Sequence, residues 1–113
     1  MATDCIFCKI AAGDIPAQIV RESAGVVAFR DLDPKAPTHV LVIPRAHHVD
    51  VAALAAGDPG VLAELVTAAA EIAEEESGGE YRLVFNSGAE AGQSVFHVHG
   101  HVLGGRRMTW PPG

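Results

Sequence analysis

The chain has 113 residues, 49% apolar and 19% charged, which suits one folded domain spanning residues 1–113 and excludes both disorder and a second core. Fourteen acidic against eight basic side chains leave a net charge of −6, which argues against a nucleic-acid polymer or an anionic membrane surface as partner. A small phosphorylated ligand held by a few local donors stays compatible with that charge.

Two cysteines cannot build a disulfide framework. There is neither a basic leader nor an apolar run of about 18 residues, so the expected setting is the cytoplasm, with reduced thiols and no membrane partner.

In chain order, residues 5–12 (CIFCKIAA) read as a short helix capped by Thr3 or Asp4 and closed by Gly13. Strand patterns follow at residues 17–22, 26–31 and 39–44, separated by turn residues. The second and third are apolar almost throughout, as strands covered on both faces are. Asp58-Pro59 opens one long helix whose stripe is Val61, Leu62, Leu65, Val66, Ala69, Ile72 and Ala73. Glu74, Glu75 and Glu76 at its end oppose the helix dipole, so a solvated, fraying terminus is expected. Strands over residues 81–86 and 95–103 flank a loop rich in Gly and Ala, and Trp110 to Gly113 close the chain as an extended tail. The sum is an α+β domain with a five-stranded, mainly antiparallel sheet, one long helix and one short helix.

Residues 97–103 (HVHGHVL) alternate strictly. In a strand, side chains switch faces with a period of two, so His97, His99 and His101 share one face while Val98 and Val102 turn to the core. Three readings are open for such a ladder: a polar face left to water, a metal tripod, or a centre for acid–base and nucleophilic work. Just upstream, residues 86–94 (NSGAEAGQS) offer small residues whose backbone N–H groups can approach an anion. Asn86, Gln93 and Ser94 add neutral donors, and Gly92 lets the loop turn; an ordinary hairpin connection is the plainer alternative. Ser94 has the wrong parity for the histidine face and would reach it only from an irregular strand start.

Residues 92–103 (GQSVFHVHGHVL) resemble the signature of the histidine triad (HIT) superfamily. Further matches lie at residues 5–10 (CIFCKI), 13–16 (GDIP), 36–44 (APTHVLVIP) and 104–113. Together they resemble the histidine triad nucleotide-binding (Hint) branch over nearly the whole chain, the WPPG tail separating it from the dinucleoside polyphosphate hydrolases. The resemblance implies a HIT-like fold, a homodimer with two sheets joined into one, and a purine nucleoside phosphoramidase. In that activity His99 would attack the α-phosphorus to form a nucleotidyl-histidine. His97 and His101 would hold phosphate oxygens and move the leaving-group proton, and Gln93 and Ser94 would donate to the phosphate. His47 would fix the tautomer of His99. Ile6, Phe7 and Leu32 would line the base pocket, Asp31 would take the ribose hydroxyls, and Asn86 would lie near sugar and phosphate. A nucleotide-binding adaptor with vestigial hydrolysis, or a dinucleoside polyphosphate hydrolase or nucleotidyl transferase, are the alternatives on the same fold. The family usually carries a larger apolar residue at position 100, so Gly100 implies lost packing and strand stiffness without lost chemistry.

Cys5-x-x-Cys8 at a helix start has the spacing of half a tetrahedral zinc site. By the same resemblance His47 and His97 would complete a structural zinc centre, with no organic cofactor. Two reduced thiols on a short helix are the plain alternative. His48 is expected at the surface and His39 at the start of a strand.

Overall fold

The computed structural model describes residues 4–113. Helix α1 (Ile6–Ala12) is capped by Cys5, whose Sγ accepts from the Cys8 N–H at 3.4 Å, and Gly13 closes it at φ 82°. Asp4 does not cap it, and Thr3 lies outside the described residues. Strands β1 (Ile19–Glu22), β2 (Val26–Arg30), β3 (Thr38–Pro44), β4 (Tyr81–Val84) and β5 (Gly100–Gly104) form one sheet in the order β1-β2-β3-β5-β4, each neighbouring pair antiparallel.

Among the described residues three α-helices, not two helices, accompany the sheet. The additional one, α2 (Val51–Gly57), starts where the Asp50 carboxylate accepts from the Ala53 N–H at 2.9 Å. It buries only Leu54, so no apolar stripe announces it in the sequence. Asp58 then caps α3 (Pro59–Ser77) by accepting from the Val61 N–H at 3.1 Å. Among the described residues no helix is long and apolar enough to cross a membrane.

The sheet has two faces of different character. Val26, Ala28, Val40, Val42 and Val102 pack against Leu54 of α2 and Leu65, Ala69, Ile72 and Ala73 of α3. Each fully buried leucine or isoleucine there stabilises the fold by roughly 1.5–3 kcal/mol. Val66, expected in the stripe, is 40% exposed. Phe7, Val27, Phe29, Leu41 and Ile43 form a second cluster on the opposite face, beneath α1.

The acidic end of α3 is solvated as expected, yet it is fastened to the sheet and not left to fray. Glu76 takes both guanidinium nitrogens of Arg30 at 2.7 and 2.8 Å and accepts from Thr38 Oγ1, while Arg21 pairs with Glu71 and Glu75. Sheet arginines thus neutralise charges that the helix dipole disfavours.

Gly100 is no packing defect. A Cβ built there would come within 3.0 Å of Leu83 Cδ1 and 3.1 Å of two Phe85 ring carbons, because the Phe85 ring already occupies that space. Gly100→Leu is therefore expected to destabilise the protein by about 1–3 kcal/mol through overpacking. Adding Phe85→Val should recover at least half of that loss, as read from urea midpoints in a double-mutant cycle.

Candidate active site and metal centre

Five of the six histidines lie in one continuous array on the α1 side of the sheet. Ring centroids are 5.0 Å apart for His47 and His97, 5.0 Å for His99 and His101, and 5.2 Å for His39 and His101. The Phe7 ring stands edge-on to His99 at 5.0 Å and to His97 at 6.1 Å, bridging the two halves. His48 is half-buried beside Gly57, outside the array.

The expected strand over residues 95–103 shortens to β5 (Gly100–Gly104), so only His101 of the triad belongs to it. The ladder stops because Pro44 has no N–H to offer and the Val98 N–H is taken by the His48 carbonyl at 2.8 Å. Face alternation survives the break, with Val98 and Val102 both in the α3-side core.

Hydrogen bonds fix which ring nitrogen carries the proton. His99 Nδ1–H donates to the His97 carbonyl at 2.9 Å, leaving its Nε2 lone pair free. The group behind His99 is thus a backbone carbonyl and not His47, which faces the cysteines. The Lys35 N–H donates to His39 Nδ1 at 3.0 Å, so His39 holds its proton on Nε2 and donates to His101 Nδ1 at 2.9 Å. His101 must then carry its proton on Nε2, which is buried and has no partner among the described residues. A free imidazole lone pair and an unpartnered N–H stand on neighbouring imidazoles.

His39, expected only to begin a strand, is therefore a member of the site. Its sequence signal was a histidine leading the apolar run of residues 40–44; the structure buries it to 6% exposure, and a buried imidazole needs a partner. Asp31 Oδ2 lies 3.4 Å from His39 Nε2, while its other oxygen accepts from the Asp33 N–H, so one carboxylate both closes a turn and faces the array. Burial, reinforced by His99 and His39, pushes His101 down to about 4, and burial also lowers His39 and His97. These three imidazoles are neutral at pH 7.

His97 has no nitrogen left for a phosphate. Its ring is fully buried, Nε2–H donates to the Pro44 carbonyl at 2.8 Å, and Nδ1 faces Cys5 Sγ at 3.4 Å and Cys8 Sγ at 3.3 Å. That arrangement excludes a tripod of His97, His99 and His101, whose lone pairs do not converge. The burial of His97 and His99 equally excludes a ladder left to water.

Gln93 is likewise committed elsewhere. Its Nε2 donates to the Val49 and Val95 carbonyls and its Oε1 accepts from the Gly88 N–H, so the side chain braces the loop and cannot donate to a phosphate. Gly92, at φ 101°, turns the loop against Asn86. Ser94 is exposed and lines a depression of about 440 Å³ with Asp4, Cys5, Ile6, His47 and Phe96.

Two cavities with Asp31 in both linings flank the array. The apolar one, about 250 Å³, is lined by Ile6, Phe7, Ile15, Phe29, Leu32 and Leu41, with Leu32 fully exposed at the rim. The other, about 460 Å³, is lined by Asp31, His39, Asn86 and His101, with Arg82 and Arg106 at its edge.

Cys5, Cys8, His47 and His97 bring four donor atoms within 4.8 Å of one another. The S···N separations of 3.3–3.4 Å match the edge of about 3.5 Å expected for tetrahedral zinc with ordinary Zn–S and Zn–N bonds. The Pro44 carbonyl holds the His97 proton on the nitrogen away from the thiols, leaving the coordinating lone pair in place. Without metal, burial and the neighbouring Cys5 push the Cys8 thiol up to about 11, so metal uptake must displace a proton. The four residues fit a structural zinc ion.

The HIT domain pattern matches residues 12–108. The chain is 44% identical over 110 residues to the purine nucleoside phosphoramidase of Escherichia coli (strain K12), covering 96% of this chain and 92% of that one. The solved HIT family hydrolase from Legionella pneumophila Philadelphia 1 superposes with a TM-score of 0.91 at 49% identity, covering 96% and 99% of the two chains. A zinc-bound histidine triad family protein from Mycobacterium smegmatis gives a TM-score of 0.78 at 33% identity, covering 95% and 78%. With the antiparallel sheet and the histidine array in place, these likenesses establish that the chain belongs to the histidine triad (HIT) family, within its Hint branch.

Proposed function

We propose that this protein is a purine nucleoside phosphoramidase working on adenosine phosphoramidates or acyl-adenylates. The observation that carries the reading is the pairing of a free Nε2 lone pair on His99 with an unpartnered Nε2–H on His101, beside an apolar cavity of purine size. The named Escherichia coli relative supports the reaction class.

His99 Nε2 attacks the α-phosphorus; in a phosphoramidate the P–N bond breaks and the nitrogen departs as an amine after taking up one proton, and in an acyl-adenylate the bond from phosphorus to the acyl oxygen breaks and a carboxylate departs. Water then attacks phosphorus, the His99–P bond breaks, and one proton is released with the nucleoside monophosphate. A neutral imidazole suits both halves, as nucleophile and then as leaving group. His101 Nε2–H is placed to donate to a non-bridging oxygen as charge builds, and to guide the proton to the leaving nitrogen. His97 acts through its backbone carbonyl, which orients His99, so it is a positioning residue here. Ile6, Phe7 and Leu32 enclose the base, Asp31 and Asn86 bound the sugar side, and Ser94 with the Gly92 turn offers loop donors to the phosphate. Zinc, when bound by Cys5, Cys8, His47 and His97, supplies structural order with no open position for chemistry.

We read residues 1–113 as a single HIT domain acting in the cytoplasm as a homodimer. Edge strand β4, with Tyr81 at its start and Val66 exposed on α3, supports edge-to-edge joining of two sheets.

His99→Ala should lower turnover of an adenosine phosphoramidate by roughly 10³-fold or more, and intact-mass trapping should find nucleotide on His99 in the wild type alone. Retention of most activity by the variant would remove the assignment. His39→Leu should cost about 10–100-fold in kcat with little change in KM, because His101 loses its tautomer lock, while His39→Gln restores a donor and recovers most of the rate.

Acid stability gives an independent reading of the array. Between pH 6.5 and about 4 the unfolded chain binds a proton that folded His101 refuses, so stability falls as pH drops through that window. Thermal melts of His101→Gln across those pH values should show a shallower fall than the wild type.

A further inference from the structure

The two metal-binding cysteines enclose the two residues that wall the base cavity. Cys5-Ile6-Phe7-Cys8 are consecutive, with both thiols turned to His97 Nδ1 and with Ile6 and Phe7 lining the apolar cavity. Phe7 is 7% exposed and lies edge-on to Phe29 at 5.5 Å as well as to His97 and His99. Helix α1 itself has seven residues, too few to hold its shape without help from its neighbours. Its cap is one of the thiols, and the thiol of Cys8 faces His97 and His47, the first of which also meets the Phe7 ring. Whatever fixes the thiols therefore fixes the ring that touches both the base cavity and His99.

We propose that the metal centre and the nucleotide cavity are energetically coupled through Phe7. Zinc on Cys5, Cys8, His47 and His97 strengthens purine nucleotide binding, and nucleotide strengthens zinc binding. The proposal rests on the nucleotide and zinc readings above and adds to them a linkage between the two. Its physical basis is shared ordering. The first ligand to bind bears the entropy cost of fixing the first turn of α1, and the second finds that turn already fixed. Linkage requires the two affinity changes to be the same factor, and couplings of this kind amount to roughly five-fold or more.

The experiment is titration calorimetry of adenosine monophosphate against the full-length protein in zinc-loaded and chelator-dialysed forms. A competition titration of zinc against a chromophoric chelator, with and without saturating adenosine monophosphate, completes the cycle. We expect binding at least about five-fold tighter on the zinc-loaded protein and an equal gain for zinc when nucleotide is present. Amide exchange over residues 6–12 should slow on zinc loading. Phe7→Leu, which removes no metal ligand, should keep zinc affinity while the coupling factor falls toward one. Two ligands that both bind, each indifferent to the other in the wild type, would overturn the linkage and leave the nucleotide and zinc readings standing. Absence of nucleotide binding to either form, or of zinc binding, would end the proposal through those underlying readings instead, the first case showing as a missing heat and the second as a chelator that keeps all the zinc.

Discussion

The bond from His97 Nε2–H to the Pro44 carbonyl, 2.8 Å long in a fully buried setting, is the constraint on which the rest of the site depends. It assigns the ring's proton, and so aims the other nitrogen at Cys5 and Cys8. It also holds residue 97 against the end of β3, which places the His97 carbonyl where His99 Nδ1–H reaches it at 2.9 Å. One residue thereby sets the candidate metal centre with its side chain and the orientation of His99 with its backbone. Unpairing either buried group would leave a polar atom without water or partner, at a cost of about 1–3 kcal/mol.

A second lock works from the other end of the array. The Lys35 N–H, bound to His39 Nδ1, dictates the proton position on His39 and through it on His101. The two locks give adjacent imidazoles opposite roles, His99 an acceptor and His101 a donor. Burial keeps His39, His97 and His101 neutral, so the assignment is not scrambled by proton uptake near pH 7. Were the rings charged, their mutual repulsion at centroid spacings near 5 Å would oppose the packing.

Much of this was legible in the sequence, because it was periodic or compositional. Alternation placed His97, His99 and His101 together and sent Val98 and Val102 to the core, and the two-residue gap between cysteines marked the metal site. The expected strands at residues 26–31 and 39–44 followed from apolar runs and are found at 26–30 and 38–44, while the one expected over 17–22 from its turn boundaries starts at Ile19. What was not legible depended on single hydrogen bonds between distant residues. Gln93 looks like a phosphate donor until its amide is seen bridging Val49 and Val95, and His47 sits behind the cysteines and not behind His99. Glu75 and Glu76 are solvated as their composition suggests, but their pairing with Arg21 and Arg30 of the sheet is not readable from the sequence. Gly100 reads as a void because the residue that fills it, Phe85, lies fifteen positions away on the neighbouring chain segment. Helix α2 is short and Ala-rich, so its signal was the cap at Asp50 alone.

The sheet explains how such a polar array persists in a small protein. Along β3 and β5, Val40, Val42 and Val102 face α3 while His39, Leu41 and His101 face the site. Stability therefore rests on one apolar face, and chemistry occupies the other, with the same strands serving both. A buried imidazole weakens the site face by demanding partners, yet it leaves the α3 contacts untouched because alternate side chains never share a face. The connection between the two faces is register. A one-residue slip of β5 would bury His101 against α3 and turn Val102 to the cavity, losing core and site together. The tight packing of Gly100 against Leu83 and Phe85 opposes that slip, since any residue moved into its place would bring a side chain into the Phe85 ring.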